Sequence, residues 1–124
     1  YLGTNESGAI DDTDVREKVI DMNMNRLAFR LTAQRANEEN KSGTPGASTS
    51  IFKLFGAALQ QDGAELKREI MGFKGLGATD GEGFSTEELT ATEEWLHTKA
   101  TTIYGGSNEI QANIISKRVL GLPD

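Results

Sequence analysis

The sequence predicts an all-α fold, most simply an up-and-down antiparallel bundle of three long helices and a shorter C-terminal helix. Two observations predict it. Apolar residues recur at helical steps of three and four along four segments, and no segment shows a convincing alternation of period two. The chain has 124 residues, 36% of them hydrophobic and 26% charged, which is typical of one globular domain with a single core.

The composition narrows the possible partners and locations. Thirteen basic and nineteen acidic residues give a net charge of −6, so neither nucleic acid nor an anionic membrane is an expected partner. The absence of cysteine excludes disulfides, thiolate metal sites and cysteine nucleophiles. No signal-like segment is present, which predicts a cytoplasmic protein, or a mitochondrial matrix protein in a eukaryote. Because the chain starts with Tyr1 and not methionine, we expect an excerpt of a longer protein.

The first forty residues predict a tail and one long helix. Residues 1–10 mix small polar residues with few apolar ones and predict a tail or linker before a helical domain over 11–124. The helix should begin at Asp12 or Thr13 and stop at Ser42, and two neighbouring apolar stripes indicate a broad buried face. The stripes are Val15, Val19 and Met22, and Ile20, Met24, Leu27 and Leu31.

A second helix is predicted from about Ser48 to Met71, after a proline-containing loop over residues 43–48. Gly56 and Gly63 lower its stability by about 1 kcal/mol each relative to alanine, and we interpret them as points of close packing against another helix. Four basic side chains predict a solvated helix face rather than a phosphate site. They are Lys53, Lys67, Arg68 and Lys74.

The remaining segments predict a glycine-rich connection and two more helices. Residues 72–84 contain five glycines and predict a long, mobile connection. Ser85 and Glu88 fit a capping box that starts a third helix, which runs to about Ile103. A fourth helix runs from Ser107 to Leu120, and Gly121 and Pro123 are suited to ending it. The residues expected to point inward are Leu89, Leu96, Ala100 and Ile103, and Ile110, Ile114, Ile115 and Val119.

The junction Gly105-Gly106-Ser107 is the best candidate for chemistry. Glycine lets the backbone bend and approach a ligand closely, and the Ser107 hydroxyl is placed to cap the first turn of the last helix. The free N–H groups of such a turn attract anionic or polar oxygen atoms, so a nucleotide or oxyanion site is one interpretation. A plain helix–helix corner with a serine cap is the other. The single histidine, His97, is interpreted as a surface or half-buried residue, and its spacing from Glu94 as coincidence rather than a metal site.

The C-terminal motif resembles the signature of acyl-CoA dehydrogenases. It comprises Ile103-Tyr104-Gly105-Gly106-Ser107-Asn108-Glu109-Ile110-Gln111 and continues through Leu120-Gly121-Leu122-Pro123. Upstream, the segment over 27–35 is similar to that family's "LRLTAYRA" helix, and the segment over 50–55 to its "SILKLF" helix start. The order and spacing of these pieces agree from about Asp11 to the end.

The resemblance implies a role as part of a flavoenzyme. Members of the family have an N-terminal helical domain, a middle β domain and a C-terminal helical bundle, and this chain corresponds to most of that bundle without its first helix. They remove a proton next to a thioester carbonyl while FAD takes a hydride from the next carbon. The implied partners are an acyl-CoA substrate, sister subunits in a homo- or hetero-oligomer (a dimer or tetramer), and an electron-accepting flavoprotein.

The resemblance also implies roles for particular residues. Gly106, Ser107 and Glu109 occupy positions that contact FAD, Tyr104 lines the acyl pocket, and the Gly105 N–H polarises the thioester carbonyl. The segment from Glu69 to Gly72 is similar to one that reaches the flavin of a neighbouring subunit. Many relatives have glutamine in place of Glu69, and an arginine in place of Ala112.

No catalytic base is visible in the sequence. Many members of the family have a glutamate at the position of Gly105, whereas another branch has a small residue there and takes its base from the first helix of the bundle. That helix would lie before Tyr1. We therefore expect either a base in an upstream segment, which we favour, or a non-catalytic relative, and we expect the isolated chain to be inactive. The alternative from another class is a free-standing helical interaction module without a cofactor.

Overall fold

The computed structural model describes residues 1–40, 48–78 and 83–123, and their fold is all-α, as predicted. The four α-helices are α1 (Thr13–Asn40), α2 (Ser48–Met71), α3 (Thr86–Thr98) and α4 (Asn108–Ile114). Three short helices continue them: 3-10 helices over Gly72–Leu76 and Lys99–Thr102 and a π-helix over Ile115–Val119. The predicted start of α1 and both ends of α2 are confirmed, whereas the end of the first helix at Ser42 and most of the predicted loop over 43–48 lie outside the described residues.

The central element of the bundle is α2, which packs against α1, α3, α4 and the three short helices. It is antiparallel to α1, because Lys18 pairs with Glu69 and Phe29 lies against Phe55. Helix α2 is also antiparallel to α3. Lys67 Nζ lies 3.1 Å from the Glu94 carboxylate, and the Gln61 side-chain amide donates to the Thr98 carbonyl over 3.1 Å.

The two glycines of α2 mark its contact with α1, as predicted. A Cβ atom at Gly56 would lie 3.2 Å from the ring of Phe29, and one at Gly63 would lie 2.5 Å from the guanidinium of Arg26. Phe29 also meets Phe52 edge to face, with ring centroids 5.7 Å apart. The missing side chains of the glycines therefore let α1 approach closely where the aromatic cluster forms.

The prediction of a broadly buried first helix is wrong for one of its two stripes. Val15 is buried and Met22 is half-buried, but Ile20, Met24, Leu27 and Leu31 are each 46–63% exposed. The reason is that α1 packs chiefly on α2, which covers only one side of it. Four further residues predicted to point inward are also exposed in the second half of the chain. They are Leu96, Ile103, Ile110 and Val119.

The predicted mobile connection after α2 is wrong for its first part. Residues 72–76 form a 3-10 helix, and Gly75 and Gly77 are buried. The Gly75 carbonyl accepts hydrogen bonds from Arg68 Nε at 2.8 Å and from Thr92 Oγ1 at 3.1 Å. A Cβ atom at Gly75 would lie 2.7 Å from the Arg68 carbonyl, so glycine is needed for this close approach. Gly81 lies outside the described residues.

The capping box at the start of α3 is confirmed, but the helix ends earlier than predicted. Ser85 N donates to the Glu88 carboxylate over 2.7 Å, and Glu88 N donates to Ser85 Oγ over 3.3 Å. The α-helix stops at Thr98 and continues as a 3-10 turn, whereas Ile103 was the predicted end. Hydroxyls of Thr98 and Thr101 donate to carbonyls three residues earlier, over 2.7 Å each, which favours the tighter turn.

The fourth helix likewise changes type before its predicted end at Leu120, because α4 becomes a π-helix after Ile114. Gly121 ends it with a φ of +66°, as predicted, and Leu122 N donates to the Ser116 carbonyl over 3.0 Å. At the other end of the chain, Thr4 and Ile10 form an isolated antiparallel bridge, and the Tyr1 hydroxyl donates to Glu88 over 3.1 Å. No helix in the described parts of the chain is long and apolar enough to cross a membrane.

Candidate functional site

The glycine pair forms a sharp turn between the 3-10 helix that follows α3 and the start of α4. Gly105 has a φ of +69° and Gly106 a φ of +97°, conformations that residues with a side chain rarely adopt. Gly105 is exposed, so the turn lies at the surface and not inside a helix. The backbone is therefore open to a ligand at the position the sequence indicated.

Two side chains from different helices hold the carbonyl groups of this turn. Lys53 Nζ, from α2, donates to the Gly106 carbonyl over 2.6 Å. Gln111 Nε2, from α4, donates to the Gly105 carbonyl over 2.9 Å. Among the described residues, none accepts a hydrogen bond from the N–H groups of Gly105, Gly106 or Ser107. The carbonyl groups of Gly105 and Gly106 thus have hydrogen-bond donors, whereas the N–H groups of the turn have no acceptor among the described residues.

The predicted hydroxyl cap by Ser107 is wrong. Ser107 is the N-cap residue of α4, with φ −62° and ψ 166°, and its carbonyl accepts from Gln111 N over 3.0 Å, but its side chain caps no backbone N–H. Instead, a hydrogen bond from the Ser107 hydroxyl is the main cause that lowers the pKa of the Glu109 carboxyl, followed by a bond from the backbone N–H of Glu109 itself. A negative charge in the first turn is also favoured by the dipole at the N-terminus of α4.

Two adjoining cavities open beside the turn. One, of about 530 Å³, is lined by Phe29, Lys53 and Gly56 and reaches Tyr104 and Gly105. The other, of about 580 Å³, lies between α1, α2 and α3. It contains His97 and Glu93, and Arg26 and Tyr104 line both cavities. Tyr104 is 56% exposed and lies at their junction. The lining of the first cavity contains no carboxylate or imidazole from the described residues.

Glu69 and Gly72 lie at the far end of α2 from this turn. Lys53, which contacts Gly106, is sixteen residues before Glu69, or about 24 Å along the helix at ~1.5 Å per residue. Glu69 pairs with Lys18, and Gly72 has a φ of +55° and is exposed. Both line a separate shallow cavity of about 290 Å³. The structure therefore places the predicted cofactor residues in two groups.

The basic residues of α2 and its extension match the predicted solvated face only in part, because the side chains of Lys67 and Lys74 are 42% and 45% exposed, whereas Lys53 and Arg68 are half-buried. Lys53 and Lys67 have the partners given above, Arg68 lies 3.8 Å over the ring of Trp95, and Lys74 donates to the Gly83 carbonyl over 2.5 Å. His97 is exposed, as predicted. Within the described residues, no three His, Asp or Glu side chains lie close enough together to hold a metal ion.

The residues around the turn offer the donors and acceptors that a flavin nucleotide needs. Unfilled N–H groups suit the polar oxygen atoms of a nucleotide. Asn108 Oδ1, in the first turn of α4, is buried without a hydrogen-bond partner. The Glu109 carboxylate also accepts from hydroxyl or amine groups and repels phosphate.

Known proteins match this chain over nearly its whole length. The family model described as "Acyl-CoA dehydrogenase, C-terminal domain" matches residues 3–120. The chain belongs to the acyl-CoA dehydrogenase family. Acyl-CoA dehydrogenase IpdE1 is 36% identical over 117 residues in Mycolicibacterium smegmatis and 38% identical over 117 residues in Mycobacterium tuberculosis, covering 94% of this chain in both cases.

A solved structure has the same fold. The crystal structure of the ChsE4-ChsE5 complex from Mycobacterium tuberculosis contains a chain that matches 98% of this one with a TM-score of 0.78, at 22% sequence identity. This chain spans 28% and 29% of the length of the two IpdE1 relatives and 32% of that of the structural neighbour. It corresponds to the C-terminal domain of the family, and its predicted family and fold are confirmed.

Sequence reasoning missed three residues that contact or line the site: Arg26, Lys53 and Gln111. A signal for Arg26 was available, because the glycine at position 63 indicates the face of α2 that meets α1. Lys53 and Gln111 lie 53 and 6 residues from their acceptors. A contact across 53 residues leaves no pattern in the local sequence, so Lys53 could not be predicted. Gln111 lies inside the C-terminal motif, but no role was predicted for it.

Proposed function

We propose that this chain is the C-terminal, FAD-contacting and oligomerisation bundle of an FAD-dependent acyl-CoA dehydrogenase, which forms an α,β-unsaturated acyl-CoA. One observation carries the proposal. Gly105 of the glycine turn lines a cavity of about 530 Å³, the N–H groups of the turn have no acceptor among the described residues, and Ser107, Asn108 and Glu109 follow it directly. Membership of the family supplies the reaction class.

The residues of the turn would bind and orient the substrate and the flavin, and they would not themselves take part in the hydride transfer. When bound, FAD supplies the acceptor for the hydride that leaves the β carbon of the substrate. The Gly105 N–H donates to the thioester oxygen, where negative charge develops as the α proton leaves. Tyr104 covers the acyl chain at the junction of the two cavities. Ser107, Glu109 and the Gly106 backbone hold the flavin nucleotide.

The base that removes the α proton is not among the described residues beside Gly105. The cavity there has Arg26 and Lys53 as its charged lining and no carboxylate or imidazole. A proton acceptor must lie within hydrogen-bond reach of the carbon acid, directly or through one water. We therefore propose that the base comes from outside the described lining of this cavity, from another segment or subunit, and infer that the isolated chain does not turn over substrate.

Assembly with other chains or domains completes the site. The apolar stripe on α1 is exposed, as are Leu96 and Ile103, and exposed apolar patches mark interaction surfaces in soluble proteins. Glu69 and Gly72, at the far end of α2, contribute to a second flavin held by a sister subunit. The structural neighbour is named as a complex of two proteins, which supports a homo- or hetero-oligomer. An electron-accepting flavoprotein then reoxidises the cofactor.

Titration of the isolated chain with FAD is the first test. We expect no binding at micromolar FAD and no oxidation of acyl-CoA, because the turn supplies only part of the contacts. Micromolar binding together with dehydrogenation by the pure chain would contradict the assignment of the base to another chain.

A chimaera is the second test. The matching segment of IpdE1 from Mycolicibacterium smegmatis is replaced by this chain and expressed in that organism, so that any partner subunit is present. We expect a flavin-loaded protein that oxidises acyl-CoA. Replacing Ser107 or Glu109 by alanine should lower its flavin content, whereas Asn113→Ala, on the exposed side of α4, should not. A folded chimaera without flavin would favour the cofactor-free interaction module instead.

A further inference from the structure

We propose that Lys53 and Gln111 are positioning residues: by occupying the two carbonyl groups of the Gly105–Gly106 turn, they fix the direction of the N–H groups of Gly106 and Ser107. These two N–H groups then donate to an oxygen atom of the bound flavin or thioester. The functional part of this inference rests on the function proposed above, whereas the structural part does not.

The argument starts from the geometry of the peptide unit. A peptide is planar and trans, so its N–H points opposite to its C=O. The Gly105 carbonyl and the Gly106 N–H belong to one unit, and the Gly106 carbonyl and the Ser107 N–H belong to the next. Gln111, which holds the first carbonyl, therefore turns the Gly106 N–H away from α4. Lys53, which holds the second, turns the Ser107 N–H away from α2.

Gln111 is well placed to act as a fixed support. Its side chain is buried, with only 7% exposure, and its backbone N–H is bonded to the Ser107 carbonyl in the first turn of α4. Its amide nitrogen lies so near the turn that a Cβ atom at Gly106 would approach it to 2.7 Å. The amide is thus confined between the helix and the glycine pair.

Lys53 adds an interaction of a different kind. Its half-buried ammonium reaches the turn from a helix 53 residues away, and a charged donor forms a shorter and stronger hydrogen bond to a carbonyl than a neutral donor does. It is the contact that ties the turn to the central helix of the bundle. Without it, the Gly106–Ser107 peptide loses its bond to α2, and the glycine on its N-terminal side tolerates many backbone conformations, so the peptide can rotate more freely.

Backbone relaxation of the isolated chain tests the structural part without any ligand. We expect ¹⁵N order parameters of about 0.85 for Gly106 and Ser107 in the unsubstituted chain and below about 0.6 in Lys53→Met. Methionine keeps the apolar stem of the lysine and removes the hydrogen-bond donor. Lys53→Arg should restore order. Lys67→Met is the matched control, because Lys67 lies on the same helix and pairs with Glu94. Unchanged order parameters in Lys53→Met would overturn the inference, and circular dichroism checks that each variant folds.

The chimaera described above tests the functional part. Lys53→Met should reduce the rate of acyl-CoA oxidation or the retention of flavin about tenfold, Lys53→Arg should recover most of it, and Lys67→Met should have no effect. If Lys53→Met loosens the turn while activity and flavin retention stay unchanged, the positioning role is refuted. If the unsubstituted chimaera carries no flavin, the proposed function fails, but the relaxation data still decide whether the two side chains fix the turn.

Discussion

Replacing Gly106 by alanine should destabilise the chain more than replacing its neighbour Gly105. A side chain in the left-handed region costs about 1–2 kcal/mol, and the φ of +97° at Gly106 lies beyond the favoured part of that region, so we assign about 2 kcal/mol to backbone strain. The new Cβ atom would also lie 2.7 Å from Gln111 Nε2. The buried amide must move and lose its bond to the Gly105 carbonyl, which costs about 1 kcal/mol more.

The matched control is Gly105→Ala. Its φ of +69° is closer to the favoured left-handed conformation, and a Cβ atom there would meet no other atom within 4 Å. We expect a loss of about 1 kcal/mol for Gly105→Ala and about 3 kcal/mol for Gly106→Ala. Urea unfolding followed by circular dichroism measures both free energies of unfolding. Equal losses in the two variants would refute the reasoning, since only one of them displaces the glutamine.

Three further predictions concern the rest of the bundle. The pKa of Glu88 is lowered, mainly by the hydrogen bond from the Ser85 N–H, so its stabilising effect is present above the usual carboxyl pKa and lost as the pH falls through the lowered value. Thermal unfolding of Glu88→Gln should be less sensitive to acid than that of the unsubstituted chain, and equal sensitivity would contradict this. Arg68→Lys should lower the free energy of unfolding by about 1–2 kcal/mol and shift the fluorescence of the single tryptophan. The reason is that lysine cannot both stack on the Trp95 ring and reach the Gly75 carbonyl in the 3-10 helix after α2. The chain should self-associate at high concentration and Leu27→Lys should weaken this, as judged by light scattering; a monomeric unsubstituted chain would count against it.

The local signals of the sequence located most of the helix boundaries. Thr13, the span from Ser48 to Met71 and the Ser85 capping box were all predicted, because caps and apolar spacing act within a few residues. The points at which α3 and α4 change to another helix type were not predicted. The tighter turn after α3 coincides with hydroxyl bonds from Thr98 and Thr101, which compete with the regular backbone hydrogen bonds of a helix.

The glycine turn was predicted as a site from its motif, but its supporting contacts were not. Ser107 was expected to cap α4 and Lys53 to lie on a solvated face, whereas Ser107 lowers the pKa of Glu109 and Lys53 donates to the Gly106 carbonyl. Such contacts depend on how α2 lies against the turn, which spacing along the chain does not report. The exposure of the second apolar stripe of α1 was not predicted for a similar reason. Apolar periodicity identifies which residues share a face, and the packing of neighbouring elements decides whether that face is covered.

The attachment of α1 to one neighbour has a consequence for the dynamics of the chain. Separating α1 from the bundle breaks one main interface, whereas α2 remains enclosed by α3, α4 and the short helices. The least costly partial opening therefore releases α1, and native-state hydrogen exchange should detect the amides of α1 before those of α2. Any molecule that binds the uncovered stripe of α1 would slow that exchange without touching the glycine turn.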